Sequence, residues 1–458
     1  MTAPPRTIGT LQLVGMIYFM TAGGGYGLEP LVAAGGPLFA IAALLITPLV
    51  FSVPQALMTA ELSALYPEDG GVVVWVHAAF GRFWAFQAGW ISLVNTFIDN
   101  ALYPVLFSQY IARLVPMDAF VRHTLSLTML TLCTTINLLG IDLVGWASVG
   151  LSLVVTLPFV LLAGLGFAQT DPAVWGSRVE HPQVGLLVAS ALWNFSGYDS
   201  AGACAGEVID AERTYPRALG MAVMLAVVTM AMPVMAAVTV NDDWAEWGEA
   251  FWVTAANRIA GGNWLGNLVT VGGLAMSTGM LVSLIATSSR SLYGMCTKKL
   301  IPSFFGYDLP RSHTPFICIL FIAVGSLGFT FLPFSLLIIM DSMLYVLKAA
   351  FEFASLVSLR VSPPPSHDPS RRSMIPFGRL GLALVVAPAA ACVLIMAGSA
   401  GFWSWMCAGL TMVSGVPMFY ACAAAVKYEE EGGAMGLGTA AVAAVAAGEE
   451  DEVGERLL

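Results

Sequence analysis

Along this chain, apolar runs of about the 20 residues that a helix needs to cross a bilayer follow one another with short polar breaks between them. The pattern predicts twelve spans, at 8–33, 37–62, 78–113, 123–141, 145–168, 184–206, 216–239, 264–297, 314–331, 334–360, 379–399 and 402–426. The runs are too long and too continuous to be the strands of a barrel. The third, eighth and tenth are long enough to tilt in the bilayer. The expected fold class is an all-α polytopic membrane protein, with residues 1–427 forming one transmembrane domain: a cytosolic start at 1–7, six spans over 8–206 and six over 216–426.

Two spans are interrupted. Gly23-Gly24-Gly25-Tyr26-Gly27-Leu28-Glu29-Pro30 falls in the first, and Ser196-Gly197-Tyr198-Asp199-Ser200-Ala201-Gly202 in the sixth. Each Gly costs a helix about 1 kcal/mol and Pro about 3. A carboxylate at bilayer depth costs at least about 2.5 kcal/mol. Broken helices in two corresponding spans point to the binding site of a secondary transporter. Spans one to five and six to ten then form two halves of opposite membrane orientation, because five is odd, and spans eleven and twelve are additions. The site is expected between the halves, near the bilayer midplane.

Composition excludes the large soluble alternative. The chain is 58% hydrophobic and 10% charged, with a mean hydropathy of +0.80, whereas a soluble domain carries about 25% charged residues. The seven cysteines (Cys133, Cys204, Cys296, Cys318, Cys392, Cys407, Cys422) sit singly in apolar runs without ligand-like spacing, so neither disulfides nor a metal is expected. No cleavable signal is expected, since the first apolar run lacks an A-x-A exit and leads into a second span. The net charge of −10 is uneven. Residues 428–458 are Gly/Ala-rich and acidic, and are expected to be a disordered cytosolic tail.

Lys and Arg set the orientation. With a cytosolic N-terminus, fourteen of them fall inside, from Arg6 and Arg82 through Arg290, Lys298, Lys299 and Arg360 to Lys427 and Arg456, and four outside (Arg113, Arg122, Arg178, Arg258). Both termini are therefore expected in the cytosol. The plasma membrane is the expected location and an internal membrane the alternative. The outer loop at 240–263 carries Asp242, Asp243, Glu246 and Glu249, which would attract cations.

Ionisable residues inside spans are candidates for function. Glu29 follows the first break. Asp99 lies mid-span, with Tyr103 one turn along on the same face. Asp199 sits in the second break beside Trp193, Phe195 and Tyr198, a carboxylate among rings that suits an ammonium through charge and cation–π attraction. Glu207 closes span six and is expected to gate or anchor it. Lys348 and Glu352, four apart, are expected to face one another as a neutralising pair, with Asp341 further out able to cap the span or meet Lys348. No P-loop, HExxH or GxSxG is present, so neither enzyme chemistry nor ATP coupling is indicated, and no cofactor is expected.

Further motifs carry a resemblance. Ala60-Glu61-Leu62-Ser63, Pro67-Glu68-Asp69-Gly70-Gly71 and Trp75 resemble the end of the second span in the amino acid/polyamine/organocation superfamily. Phe86-Gln87-Ala88-Gly89-Trp90 and Ile98-Asp99-Asn100-Ala101-Leu102-Tyr103-Pro104-Val105-Leu106-Phe107 are similar to the polyamine uptake transporters of plants and protozoa, as are Trp193-Asn194, Tyr198-Asp199, Ala205-Gly206-Glu207, Leu344-Tyr345, Glu352-Phe353 and Leu359-Arg360. The resemblance covers about residues 10–420. It implies a LeuT-like 5+5 bundle and proton-coupled uptake of putrescine, spermidine or spermine. On this chain it would place Gly24, Gly25, Tyr26 and Glu29 at the first break. Trp193 and Phe195 would form a cation-facing wall, Asp99 a second anionic contact, and Asp199 the pH-sensing position. Lys348 departs from the family's pattern, and its charge would oppose a polycation unless Glu352 or Asp341 neutralises it.

The expected function is therefore symport of protons with a small cationic polyamine. The substrate is bound by Gly24, Gly25, Tyr26, Glu29, Asp99, Tyr103, Trp193, Phe195, Tyr198 and Asp199, and coupling falls to Asp199, Glu207, Lys348 and Glu352. The alternative is a cationic or neutral amino acid transporter of the same fold. A ligand-binding sensor is disfavoured because no sizeable cytosolic domain is read from the sequence. Lipid is the expected surrounding, nucleic acid is not a partner, and nothing sets an oligomeric state.

Overall fold

A computed structural model of the chain describes residues 5–239, 244, 247–248, 251–310, 312–363 and 374–431. The expected acidic tail beyond 431 and most of the acidic stretch at 240–250 lie outside the described residues. Among the described residues the protein is a bundle of α-helices without a named strand. In chain order these are α1 (Thr10–Thr21), α2 (Glu29–Thr47), α3 (Val53–Leu65), α4 (Val72–Phe80), α5 (Arg82–Leu114), α6 (Ala119–Leu139), α7 (Ile141–Phe167), α8 (Val184–Asn194), α9 (Ala211–Ala237), α10 (Phe251–Ala260), α11 (Trp264–Thr297), α12 (Phe316–Phe329), α13 (Phe334–Val361), α14 (Gly378–Ser399) and α15 (Phe402–Glu430).

Six segments are long and apolar enough to cross a membrane: Glu29–Leu65, Ile141–Phe167, Ala211–Ala237, Trp264–Thr297, Gly378–Gly398 and Phe402–Glu430. The outside of the bundle is apolar too. Leu49, Val324, Leu394 and Val413 are 69–70% exposed, a surface that lipid tolerates and water does not.

Most expected boundaries lie within a turn of the observed helices, and two differ for local reasons. As expected, the first and second spans meet in the gap between them, at Gly36 (φ 72°), a corner where two helices join within α2. A Cβ there would stand 3.0 Å from the backbone of Arg178 and Val179, so only glycine fits. The third span is divided by Gly81 (φ 80°) into the short α4 and the long α5. The second half of the sixth span is a 3-10 turn over Tyr198–Ala203 rather than an α-helix. A turn of π-helix at Pro48–Ser52 joins α2 to α3. The helix α10, packed on α11 and α7, was not expected from the span pattern.

The two breaks are real and they touch. α1 ends at Thr21, and helical backbone resumes at Glu29; α8 ends at Asn194, and the 3-10 turn begins at Tyr198. Gly197 (φ 101°) packs so closely on the first break that a Cβ would lie 2.1 Å from the Met20 carbonyl oxygen. Helices α3, α7, α9 and α11 pack on this crossing.

Gly197→Ala is expected to cost more than the roughly 1–3 kcal/mol of a left-handed non-glycine residue, because it also collides with backbone. Gly185→Ala, which adds its methyl into open space, is the control. A lower apparent Tm in detergent for the first variant and an unchanged or higher one for the second checks this.

Candidate functional site

The crossing of the breaks opens onto a buried cavity of about 420 Å³, within the range of small-molecule sites. The first break contributes Thr21, Ala22, Tyr26, Gly27 and Glu29, and the second contributes Trp193, Asn194, Ser196, Gly197 and Ser200. α5 adds Asn95, Asp99, Tyr103 and Tyr110, α11 adds Met276 and Met280, and α13 adds Asp341, Tyr345 and Lys348. A smaller polar cavity of about 40 Å³ adjoins it, sharing Asn95, Asp99, Ser200, Leu284 and Lys348, and adds Asp199 and Glu352.

Backbone freed by the breaks is satisfied by side chains from neighbouring helices, as it must be at this depth. Asn194 Nδ2 donates to the Gly27 carbonyl at 3.1 Å. Ser52 Oγ donates to the Phe195 carbonyl at 3.0 Å. The Gly197 N–H donates to the Tyr345 hydroxyl at 3.2 Å. The Gly27 N–H donates to Glu29 Oε2 at 2.9 Å.

Asp199 is the centre of the polar cluster. Its Oδ1 accepts from Gln55 Nε2 at 2.8 Å and from the Tyr345 hydroxyl at 3.3 Å. Its Oδ2 lies 2.7 Å from Lys348 Nζ. Gln55 also donates to the Tyr345 hydroxyl at 2.5 Å, so Tyr345 accepts twice and donates once, its full complement. The Lys348 ammonium stands 5.1 Å from the Tyr345 ring centroid, within cation–π range. Asp99 accepts from the Tyr103 hydroxyl at 3.1 Å, and Asp341 from Asn95 Nδ2 at 2.5 Å. Residues 341, 345, 348 and 352 form one stripe along α13, at i, i+4, i+7 and i+11.

The residues singled out in the sequence are not all brought together. Tyr26, Glu29, Asp99, Tyr103 and Trp193 line the larger cavity, and Asp199, Lys348 and Glu352 the smaller one. Gly24 and Gly25 face away, towards Phe159 and Val155. Phe195 and Tyr198 are fully buried and line neither cavity. The ring beside Asp199 is instead Tyr345, from α13. Lys348 does not pair with Glu352 as expected: its close carboxylate is Asp199, reached across the bundle, and Asp341 is held by Asn95. Gln55 was missed, although a polar side chain inside the apolar second span was the available signal. Asn194 was missed as a donor for the same reason, and Asn95, a candidate partner for Asp99, binds Asp341 instead.

Glu207 lies away from the cavities. It forms a buried bidentate ion pair with Arg290 of α11, with Arg290 Nη2 3.3 Å from Oε2. The Glu207 carbonyl accepts from the Thr7 and Ile8 N–H groups at 2.9 and 3.0 Å. The Gly206 N–H donates to Asp69 Oδ1 at 2.9 Å. The same end of the bundle carries ion pairs of Lys298 with Glu68, Lys299 with Glu430 and Arg360 with Glu61. The N-terminal segment is thus tied to the end of the second break by backbone hydrogen bonds, and the break is tied to α11 by the Glu207–Arg290 pair.

A bundle of apolar helices with two broken segments meeting at a cavity that carries buried carboxyl groups is the arrangement of a secondary transporter. The chain belongs to the amino acid permease family, whose profile matches residues 8–441. It is similar to polyamine transporter PUT1 of Oryza sativa subsp. japonica, 34% identical over 402 residues, which is 87% of this chain and 75% of that protein. It is also similar to polyamine transporter RMV1 of Arabidopsis thaliana, 32% identical over 399 residues, 84% of this chain and 80% of that one. It is accordingly an integral membrane protein.

Glu207→Ala leaves the Arg290 guanidinium buried without its carboxylate and is expected to cost about 3–5 kcal/mol. The double variant Glu207→Ala/Arg290→Met, which removes both charges, is expected to recover most of that loss. Apparent Tm in detergent reads both, and a single variant that melts like the wild type contradicts the assignment.

Proposed function

We propose that this protein is a proton-coupled polyamine uptake transporter. The observation that carries the reading is charge. Among the described residues, five carboxyl groups (Glu29, Asp99, Asp199, Asp341, Glu352) line the two adjoining cavities, against the single ammonium of Lys348. Buried carboxyl groups in that excess must either hold protons or meet a cationic ligand. In putrescine the two ammonium groups stand about 6–7 Å apart by extended-chain geometry. One meets Asp199 under the Tyr345 ring, and the other meets Glu29 or Asp99 on the far wall, with Trp193 lining the path between. The similar plant proteins, named as polyamine transporters, support the same class of substrate.

Glu29 also bears on the second reading, a cationic or neutral amino acid transporter of the same fold. An amino acid must place a carboxylate, and backbone N–H groups at a broken helix are the natural donors for it. Here Glu29 itself accepts from the Gly27 N–H at 2.9 Å, so the position is occupied by the protein's own carboxylate. A substrate carboxylate would meet both repulsion and a missing donor.

The twelve helical spans are read as two inverted halves of five followed by two additional spans, a LeuT-like arrangement, with both termini in the cytosol and the plasma membrane as location. The basic cluster of Arg290, Lys298, Lys299 and Arg360, gathered with the N-terminal segment at one end of the bundle, supports that orientation. The coupling proton is assigned to the Asp199 cluster. There a proton on a carboxyl and an ammonium beside it are alternative ways of cancelling the same buried charge. Glu207 is assigned to the inner gate.

The test is uptake of labelled putrescine and spermidine into liposomes holding the purified protein, with and without an inward proton gradient, and with arginine as competitor. Gradient-stimulated accumulation that arginine barely blocks is the expected result, and Asp199→Asn abolishes it. Arginine or leucine uptake without polyamine accumulation would move the function to an amino acid transporter. In the same assay Glu29→Ala frees the first-break donor and is expected to raise arginine inhibition by about tenfold, the effect of roughly one charge-assisted hydrogen bond; unchanged inhibition contradicts Glu29's role in excluding carboxylates.

A further inference from the structure

Lys348 is an odd residue for a site that takes cations. It is nine-tenths buried, its ammonium sits 2.7 Å from Asp199, and it lines both cavities. A fixed cation at the anionic centre of such a site would repel the ligand. The groups around it show a way out. Asp99 is held by Tyr103 and Asp341 by Asn95. Glu352, one turn along α13, lines the same small cavity as Lys348; the Asp199 side chain lies within hydrogen-bonding reach of it, and Lys348 is a further electrostatic neighbour. Its Oε2 is buried with no hydrogen-bond partner among the described residues, and a buried carboxylate oxygen in that condition is costly. Asn100, on the wall of the same cavity, has both amide atoms buried and unpartnered as well.

Lysine carries its charge on a flexible four-carbon stem with three donors. At i and i+4 on one helix, Lys348 and Glu352 share a face. The ammonium can therefore pass between Asp199 and Glu352 by turning its own side chain, with no movement of backbone. We propose that Lys348 is a tethered stand-in for a substrate ammonium: it neutralises Asp199 when no ligand cation is there, and swings to Glu352 when one arrives. This deepens the polyamine reading and rests on it. Binding is then an exchange of one ammonium for another at Asp199, so Asp199 is never left as a bare buried charge during the cycle. Glu352 is the carboxylate that makes the exchange possible, and its unpartnered oxygen is the waiting position.

Binding of labelled putrescine to the purified full-length protein in nanodiscs tests this. Lys348→Met removes the competitor, and is expected to tighten putrescine binding by about tenfold, as one displaced ion pair would, while slowing uptake because the substrate is no longer driven off Asp199. Glu352→Gln leaves the Lys348–Asp199 pair intact but removes its alternative, and is expected to weaken binding by about tenfold. In the Lys348→Met background the same Glu352→Gln change should have no effect. Weaker binding by Lys348→Met overturns the proposal, as does an equal effect of Glu352→Gln in both backgrounds, which would make Glu352 a direct substrate contact. If Lys348→Met does not give a monodisperse protein, Glu352→Gln decides alone, and unchanged affinity overturns the proposal. Putrescine binding by the wild type separates the two levels. If it is present, failure of the variants sinks only the exchange. If it is absent, the polyamine reading fails and the same variants are scored with arginine, whose guanidinium faces the same competitor; no binding of either ligand contradicts both.

Discussion

A helix that unwinds inside a bilayer frees backbone groups that no water reaches, and everything at the centre of this protein follows from how those groups are satisfied. Two unwound segments are set against each other, so closely that Gly197 leaves no room for a methyl group above the Met20 carbonyl. Asn194, Ser52 and Tyr345 then supply partners for the freed carbonyl and N–H groups. Asn194 ends one broken helix, Ser52 lies in the π-turn before α3 and Tyr345 on α13, so the satisfaction of the breaks depends on segments from several parts of the bundle. The breaks also leave Glu29 and Asp199 at positions where a continuous helix would have shielded neither.

The second consequence is electrostatic. Once carboxylates are placed at this depth they need compensation, and the protein supplies it in two ways. Away from the cavities it uses tight ion pairs, such as Glu207 with Arg290 and Glu61 with Arg360. Around the cavities it supplies neutral donors (Gln55, Tyr103, Asn95) and one ammonium. The two kinds of compensation differ in place: the paired charges join segments at one end of the bundle, and the less compensated carboxyl groups are those of the proposed cation site.

Much of the fold was legible because the bilayer imposes a length on each apolar run, and because glycine, proline and carboxylates have few reasons to interrupt one. The positions of the breaks, and the candidacy of Glu29, Asp99 and Asp199, came from that cost alone. What was not legible is what depends on rotation and on contacts across the bundle. The span pattern put Lys348 beside Glu352 because they are helical neighbours, and the closer partner is Asp199 on another segment. Phe195 and Tyr198 adjoin Asp199 in sequence, yet the left-handed turn at Gly197 and the 3-10 geometry after it turn them into the core, and the ring that meets the carboxylate is Tyr345. Gln55 sits in an apolar run where a single polar residue reads as a minor blemish, and it proves to hold the central carboxylate.

The proposed site takes two cationic ends at once. Competition by an unlabelled ligand series against putrescine bound to the purified wild-type protein tests it most directly, with butylamine, putrescine and arginine compared at one pH and ionic strength. Two separated anionic walls predict that putrescine competes at least about a hundredfold better than butylamine, the loss of one well-placed ion pair being roughly 3 kcal/mol in a buried site, and that arginine competes poorly. Butylamine competing as well as putrescine would contradict the two-ended site, and with it the reading of Glu29 and Asp99 as its second wall.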